Sequence, residues 1–170
     1  ACGAELYLVG NWSPGASHEV PVPAALGLDA VVVTPVAPYF NSRSLQTAHS
    51  ALWQGLRGLG LGPEVARYRR VERTLSRAVE RIEGTAHASI VTGWDNTPRS
   101  GRRGLVLTGY RRDSFIRAVQ NALAHERTNP MPMLFVKSWN EWAEGNVLED
   151  RFEQRWSAGE TLRDLLGPRS

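Results

Sequence analysis

Four short apolar runs recur along the chain, the first followed by a Pro/Gly/Ser loop through Pro14, Gly15 and Ser17 and the other three by stretches of helical character, and this alternation limits the fold more than any other feature. The runs are Leu6-Tyr7-Leu8-Val9-Gly10, Asp29-Ala30-Val31-Val32-Val33-Thr34, His87-Ala88-Ser89-Ile90-Val91-Thr92 and Met133-Leu134-Phe135-Val136. The second is continuous rather than alternating, the pattern of a parallel strand covered on both faces. Between the runs, apolar residues fall three or four apart. Ser44 is placed to cap a helix with Leu45, Ala48, Leu52, Leu56 and Leu59 on one side. Gly62-Pro63-Glu64 reads as a helix start, followed by Tyr68, Val71, Leu75, Val79 and Ile82 and closed by Gly84. Asp113 caps a helix carrying Phe115, Ile116, Val119 and Leu123, Pro130 and Pro132 bracket the way into the fourth run, and Leu162, Leu165 and Leu166 mark a last helix.

Strand and helix alternating with no internal repeat and no long linker predict an α/β fold, one domain over residues 1–170, built from about four strand-helix units. The 42% hydrophobic and 22% charged composition is that of an ordinary globular chain, neither disordered nor fibrous. No apolar stretch approaches the roughly 20 residues needed to span a bilayer. No charged-then-apolar leader opens the sequence, which favours a cytoplasmic location.

Chemistry concentrates at the end of the fourth run. Trp139-Asn140-Glu141-Trp142-Ala143-Glu144-Gly145, with Leu148-Glu149 just beyond, places three carboxylates and two indoles within eleven residues. A glycosidic bond breaks through an oxocarbenium-like transition state, so one carboxylic acid must protonate the leaving oxygen while a second carboxylate serves as base, nucleophile or counter-charge. Indoles complement the pair, because the C–H faces of a pyranose stack on them and because an apolar wall favours the protonated form of a nearby carboxyl. An acid kept protonated near neutral pH has to sit well above the ~4.3 of free Glu. The plainer alternative makes Trp139 and Trp142 core residues and the glutamates a solvated loop.

A resemblance sharpens this. Phe135 to Glu149, FVKSWNEWAEGNVLE, resembles the signature of the WbsX-type proteins, relatives of the endo-alpha-mannanase and endo-alpha-mannosidase glycoside hydrolases of family ninety-nine. Gly93-Trp94-Asp95-Asn96-Thr97-Pro98-Arg99 resembles the second signature of that group and lies at the matching distance upstream. The resemblance implies a (β/α)8 barrel with its site on loops at the C-terminal strand ends. It implies that Glu141 is the base and Glu144 the acid. It further implies a retaining route in which the base deprotonates the sugar 2-hydroxyl, that oxygen displaces the leaving group, and water opens the resulting 1,2-anhydro sugar. Many WbsX-type members are instead described as glycosyltransferases of surface-polysaccharide or O-antigen assembly. Hydrolysis, transfer and non-catalytic sugar binding all stay open at this point.

Two departures from the family pattern stand out. Leu148-Glu149 runs into Asp150-Arg151-Phe152, where members usually continue with proline. A complete barrel takes roughly 250 residues, and the chain has 170. Only the C-terminal half of a barrel is therefore expected. Together with Ala1 at the first position, this suggests a fragment whose other half, or a partner chain, covers the open sheet edges.

Around the two glutamates, the candidates for sugar contact are Trp94, Asp95, Asn96, Arg99, Trp139, Asn140, Trp142 and Glu149, with Tyr39 and Asn41 as weaker rim positions. Asp95 either bonds a sugar hydroxyl, orients Arg99, or simply forms a turn. One of Trp139 and Trp142 is expected to stack on substrate and the other to form wall. The partner is thus a carbohydrate, with no cofactor.

Other chemistries find little support. The excess of 20 basic over 17 acidic residues is nearly all arginine. Arg67, Arg70, Arg77 and Arg81, interleaved with Glu72, Glu80 and Glu83, read as a solvated helix face rather than a nucleic-acid surface. Arg102-Arg103 and Arg111-Arg112 flank the loop after Trp94, where they either steer an anionic polysaccharide or belong to a solvated loop. His18, His49, His87 and His125 lack ligand spacing, so no metal site is expected. The lone Cys2 forms no internal disulfide and suggests no catalytic thiol.

Overall fold

Three consecutive valines that bury both faces need strands on either side, and the computed structural model supplies them. It describes residues 5–14, 19–35, 62–149 and 156–167. Strand β1 (Val9–Trp12) runs parallel to β2 (Ala30–Val33), in the register Val9 to Ala30 through Trp12 to Val33. The other side of β2 pairs with β4 (Ala86–His87), also parallel. Beyond Ala88 the chain continues as β5 (Ser89–Ile90), which pairs in parallel with β7 (Phe135–Val136). All four residues of β2 are buried, as a central parallel strand requires.

The four predicted strands therefore exist, and the fold is mixed α/β. The described strands pair as one three-stranded sheet, in the order β1-β2-β4, and as shorter two-stranded pairs. The first strand lies three residues later than the apolar run suggested, leaving Leu6 and Leu8 exposed at 76% and 47%. Its position follows from Asp29, whose carboxylate accepts from Leu8 N–H at 2.6 Å, while Leu8 carbonyl accepts from Asp29 N–H and Ala30 N–H. Pairing with β2 overrides the local pattern.

A second correction concerns Gly62-Pro63-Glu64. Instead of starting a helix, Glu64–Arg67 forms β3, parallel to β6 (Leu105–Thr108), a strand absent from the sequence reading. Helix α1 then spans Tyr68–Glu80, with Tyr68, Val71, Leu75 and Val79 buried on the predicted stripe. The four-residue helix α2 (Thr97–Ser100) precedes β6. Helix α3 (Arg112–Glu126) is capped at Arg111, and Asp113 sits inside the first turn, paired with Arg111 and Arg117. Helix α4 (Ala158–Leu166) opens on Ser157, whose hydroxyl accepts from Glu160 N–H at 3.1 Å. The expected helix after Ser44, together with Tyr39, Asn41, Cys2 and Asp150 to Phe152, lies outside the described residues.

The core fills the space between the sheet and helices α1 and α3. Val31, Val33, Val71, Leu75, Ile90, Leu107, Phe115 and Val119 belong to it. Beneath this layer a buried polar network ties the end of α3 to β4 and β5. The Glu126 carboxylate accepts from Ala88 N–H at 2.6 Å, Met133 N–H at 3.0 Å and Asn129 Nδ2 at 2.9 Å, and contacts His87 Nδ1 at 2.9 Å. The other ring nitrogen of His87 meets the Tyr7 hydroxyl at 3.0 Å.

Candidate functional site

The chain leaving β7 turns back on itself at once. Asn140–Glu141 forms β8, Trp142–Glu144 a single 3-10 turn, and Asn146–Val147 forms β9, antiparallel to β8 with Asn140 opposite Val147 and Glu141 opposite Asn146. The motif is thus a small hairpin at the C-terminal end of a parallel strand. Gly145 makes the turn possible at φ 64°, in the left-handed region that glycine enters freely. Val147 and Leu148 are buried and anchor the hairpin to the core. Asn140 stabilises its base, its Oδ1 accepting from Leu148 N–H at 3.1 Å and Glu149 N–H at 3.3 Å.

The second motif packs against this turn. Asp95 N–H donates to the Glu144 carbonyl at 2.8 Å, and Leu107 N–H donates to the Trp94 carbonyl at 2.8 Å, so the Gly93 to Arg99 segment lies between β6 and the hairpin. A Cβ on Gly145 would sit 3.0 Å from Asp95 N, so the approach also requires glycine. Gly145→Ala is therefore expected to lose more stability than Gly27→Ala. Both lie at positive φ, with an inherent cost of about 1–2 kcal/mol, but only Gly145 has backbone in the way. Urea midpoints of the two variants measure the difference, and equal shifts contradict the close packing.

Side chains converge on one glutamate. Glu144 Oε1 accepts from Arg99 Nη2 at 3.0 Å, and its Oε2 accepts from Lys137 Nζ at 3.3 Å. The Lys137 ammonium lies 5.1 Å from the ring centre of Trp94, which is buried. Glu141 is half-buried, and its carboxylate forms no hydrogen bond or ion pair with the described residues. Trp139 and Trp142 are 72% and 62% exposed, so neither forms the buried wall expected of one of them.

Of the sequence-predicted residues, the structure thus brings together Glu144, Arg99, the Asp95 backbone and Trp94. Asp95 Oδ1 accepts from Thr97 N–H and Thr97 Oγ1, which is the turn-forming role, while Arg99 reaches Glu144 rather than Asp95. Asn96 is buried and its Oδ1 accepts from Leu105 N–H at 2.6 Å. Glu149 is exposed beyond the hairpin. Lys137 was not singled out from sequence, although a lone lysine directly after an apolar strand is a usable cue.

An apolar cavity of about 460 Å³ lies elsewhere, lined by α1, α3 and β5, and holds none of these residues. Among the described residues no group of three or more His, Cys, Asp or Glu is arranged to hold a metal ion. No described helix is long and apolar enough to cross a membrane.

The chain belongs to the WbsX glycosyltransferase family, residues 3–157 matching the family described as Glycosyltransferase WbsX. This bears out the resemblance to the WbsX-type proteins. Two proteins of Xanthomonas campestris pv. campestris, one from strain B100, each carry the name uncharacterized protein WxcX. Each is 33% identical over 135 residues, covering 77% of this chain and 18% of WxcX. A solved structure of a glycoside hydrolase-like protein shares the fold, with a TM-score of 0.50 at 14% identity, over 95% of this chain and 44% of that one. The chain therefore spans a minor part of each relative's length.

Proposed function

We propose that this chain forms part of a carbohydrate-active enzyme that cleaves glycosidic bonds with Glu141 and Glu144. The observation that carries the reading is the hairpin itself. It presents two carboxylates three residues apart in sequence, flanked by the exposed indoles of Trp139 and Trp142, at the strand end where barrel enzymes place their chemistry. Glu141, half-buried and without a charged partner among the described residues, is the base that takes the proton of the sugar 2-hydroxyl as that oxygen displaces the leaving group, and it returns the proton to the 2-oxygen when the anhydro ring opens. Glu144 delivers a proton to the leaving oxygen and then withdraws one from the water that opens the anhydro sugar. Two proton-handling groups of opposite role are what a retaining hydrolase requires. The ends of the described sheet at β1 and β7 suit a (β/α) barrel completed by further strands of a longer chain or of a partner.

The name of the family favours a second reading, transfer of a sugar onto a growing surface polysaccharide. The two separate cleanly in one experiment on a protein containing this segment. Hydrolysis predicts release of reducing ends from oligosaccharide in buffer alone, with no nucleotide sugar, and loss of that release in Glu141→Gln. Product formed only when an activated donor is added selects transfer. Saturable binding with no product under either condition, unchanged in Glu141→Gln, selects a sugar-binding role.

A further inference from the structure

We infer that the site takes a sugar bearing an anionic group, a carboxylate or phosphate, and that Arg99 is the residue that recognises it. This rests on the reading of Glu144 as a proton-handling residue and names the class of substrate for that same site.

Arg99, Lys137 and Glu144 form a cluster in which two cations share one carboxylate. Asp95, the nearest acid in sequence to Arg99, directs its Oδ1 to Thr97, and Glu141 pairs with neither cation. In these contacts two cations meet a single carboxylate, and Arg99 keeps donors that no described acid takes up. Both Glu144 oxygens already face a cation, so the oxygen that meets a leaving group must part from its cation before substrate reaches it.

The two cations differ in how easily they leave. Lys137 is 24% exposed and sits over the Trp94 indole, while Arg99 is 58% exposed and projects from the four-residue helix α2. A guanidinium has five N–H donors in a planar fork, and Arg99 gives only one, through Nη2, to Glu144. Its remaining donors suit a bidentate carboxylate or phosphate. An anionic group on the sugar draws Arg99 from Glu144 Oε1 and frees that oxygen, while Lys137 keeps the other oxygen in place. A neutral sugar offers Arg99 only hydroxyl acceptors, a weaker exchange for the Glu144 carboxylate.

The test is a titration of the protein carrying this segment with D-glucuronate, glucose 6-phosphate, glucose and acetate. It is followed through the arginine Nε–H and tryptophan indole signals in nitrogen-edited NMR spectra. D-Glucuronate or glucose 6-phosphate is expected to shift the Arg99 signal, and whichever does so tells carboxylate from phosphate recognition. Because Glu144 competes for Arg99, Glu144→Gln is expected to bind the acidic sugar about tenfold more tightly than the parent, and Arg99→Gln about tenfold more weakly. Arg99→Lys should recover part of the loss. The exposed position of Arg99 keeps its variants folded.

Glucose or acetate binding as well as the acidic sugars overturns the inference, as does an Arg99→Gln variant with undiminished affinity or the absence of any shift at Arg99. The affinity order is read without turnover, so it stands even if Glu144 handles no proton. Conversely, loss of turnover in Glu144→Gln with no preference for acidic sugar leaves the hydrolase reading intact and removes this one.

Discussion

Glu126→Ala is expected to cost about 3 to 5 kcal/mol of folding stability, the range for removing one member of a buried charged network. Glu126 is 2% exposed and His87 is fully buried. The carboxylate holds four groups at once: the N–H of Ala88 where β4 passes into β5, the N–H of Met133 on the way into β7, the Asn129 amide and the His87 ring. Alanine leaves these donors in a dry interior with no acceptor, and each unsatisfied group costs about 1–3 kcal/mol. Glu126→Gln should lose less, because its oxygen still serves one side of the network while its NH2 group meets donors on the other. Urea denaturation measures both. A loss under about 1 kcal/mol for alanine, the usual scale of a surface substitution, would show that the network contributes little.

The same carboxylate makes stability depend on pH in a defined direction. Burial by itself pushes the Glu126 carboxyl upward, but hydrogen bonds from Ala88 N–H, His87, Asn129 and Met133 N–H together outweigh it and hold the group below its ordinary range. A carboxyl lowered on folding contributes stability that is fully present above its unfolded value of ~4.3. That contribution fades as pH falls through the lower folded value. The parent should therefore lose stability as pH falls from ~4.3 through the lower folded value, and Glu126→Gln should show a flatter profile in the same window.

Legibility from sequence followed how local each signal was. Strand β2 was readable because a central parallel strand is apolar on both faces, and helix α1 because Tyr68, Val71, Leu75 and Val79 repeat at helical spacing. The β3–β6 pair was not, because Glu64–Arg67 and Leu105–Thr108 are four residues each and exist as strands only through pairing with one another. The proline and glutamate that resemble a helix start at Pro63 and Glu64 yield to that tertiary pairing.

The same division runs through the site. Two motifs marked where it would be, and the Asp95 N–H to Glu144 carbonyl bond joins them in space. What the spacing did not carry was which side chain would face which. Asn96 and Asn140 bind backbone, Arg99 turns to Glu144 instead of Asp95, and Lys137 closes the cluster from over Trp94. Those outcomes depend on distances across the fold that a linear pattern does not encode. The Tyr7–His87–Glu126 network was hidden for the same reason, its members being 80 and 39 residues apart.

Glu144→Gln is expected to lower turnover by about 10²- to 10⁴-fold on natural sugar leaving groups, the usual effect of removing a general acid or base. The loss should shrink on an aryl glycoside whose phenolate departs with little help from a proton. Glu141→Gln should fall similarly on both substrates, because deprotonation of the 2-hydroxyl is needed whatever the leaving group. This contrast assigns the roles where a simple loss of activity does not. Packing changes are a poor rival explanation for Glu144→Gln, since glutamine keeps the size and shape of the side chain and weakens, through loss of charge, its contacts with Arg99 and Lys137. If Glu144→Gln falls equally on both leaving groups, Glu144 is not the acid, and its two cations mark it instead as a fixed charge that orients the rim. If Glu141→Gln is the variant rescued by the aryl leaving group, the two roles are exchanged, and the glutamate without a charged partner among the described residues is the proton donor.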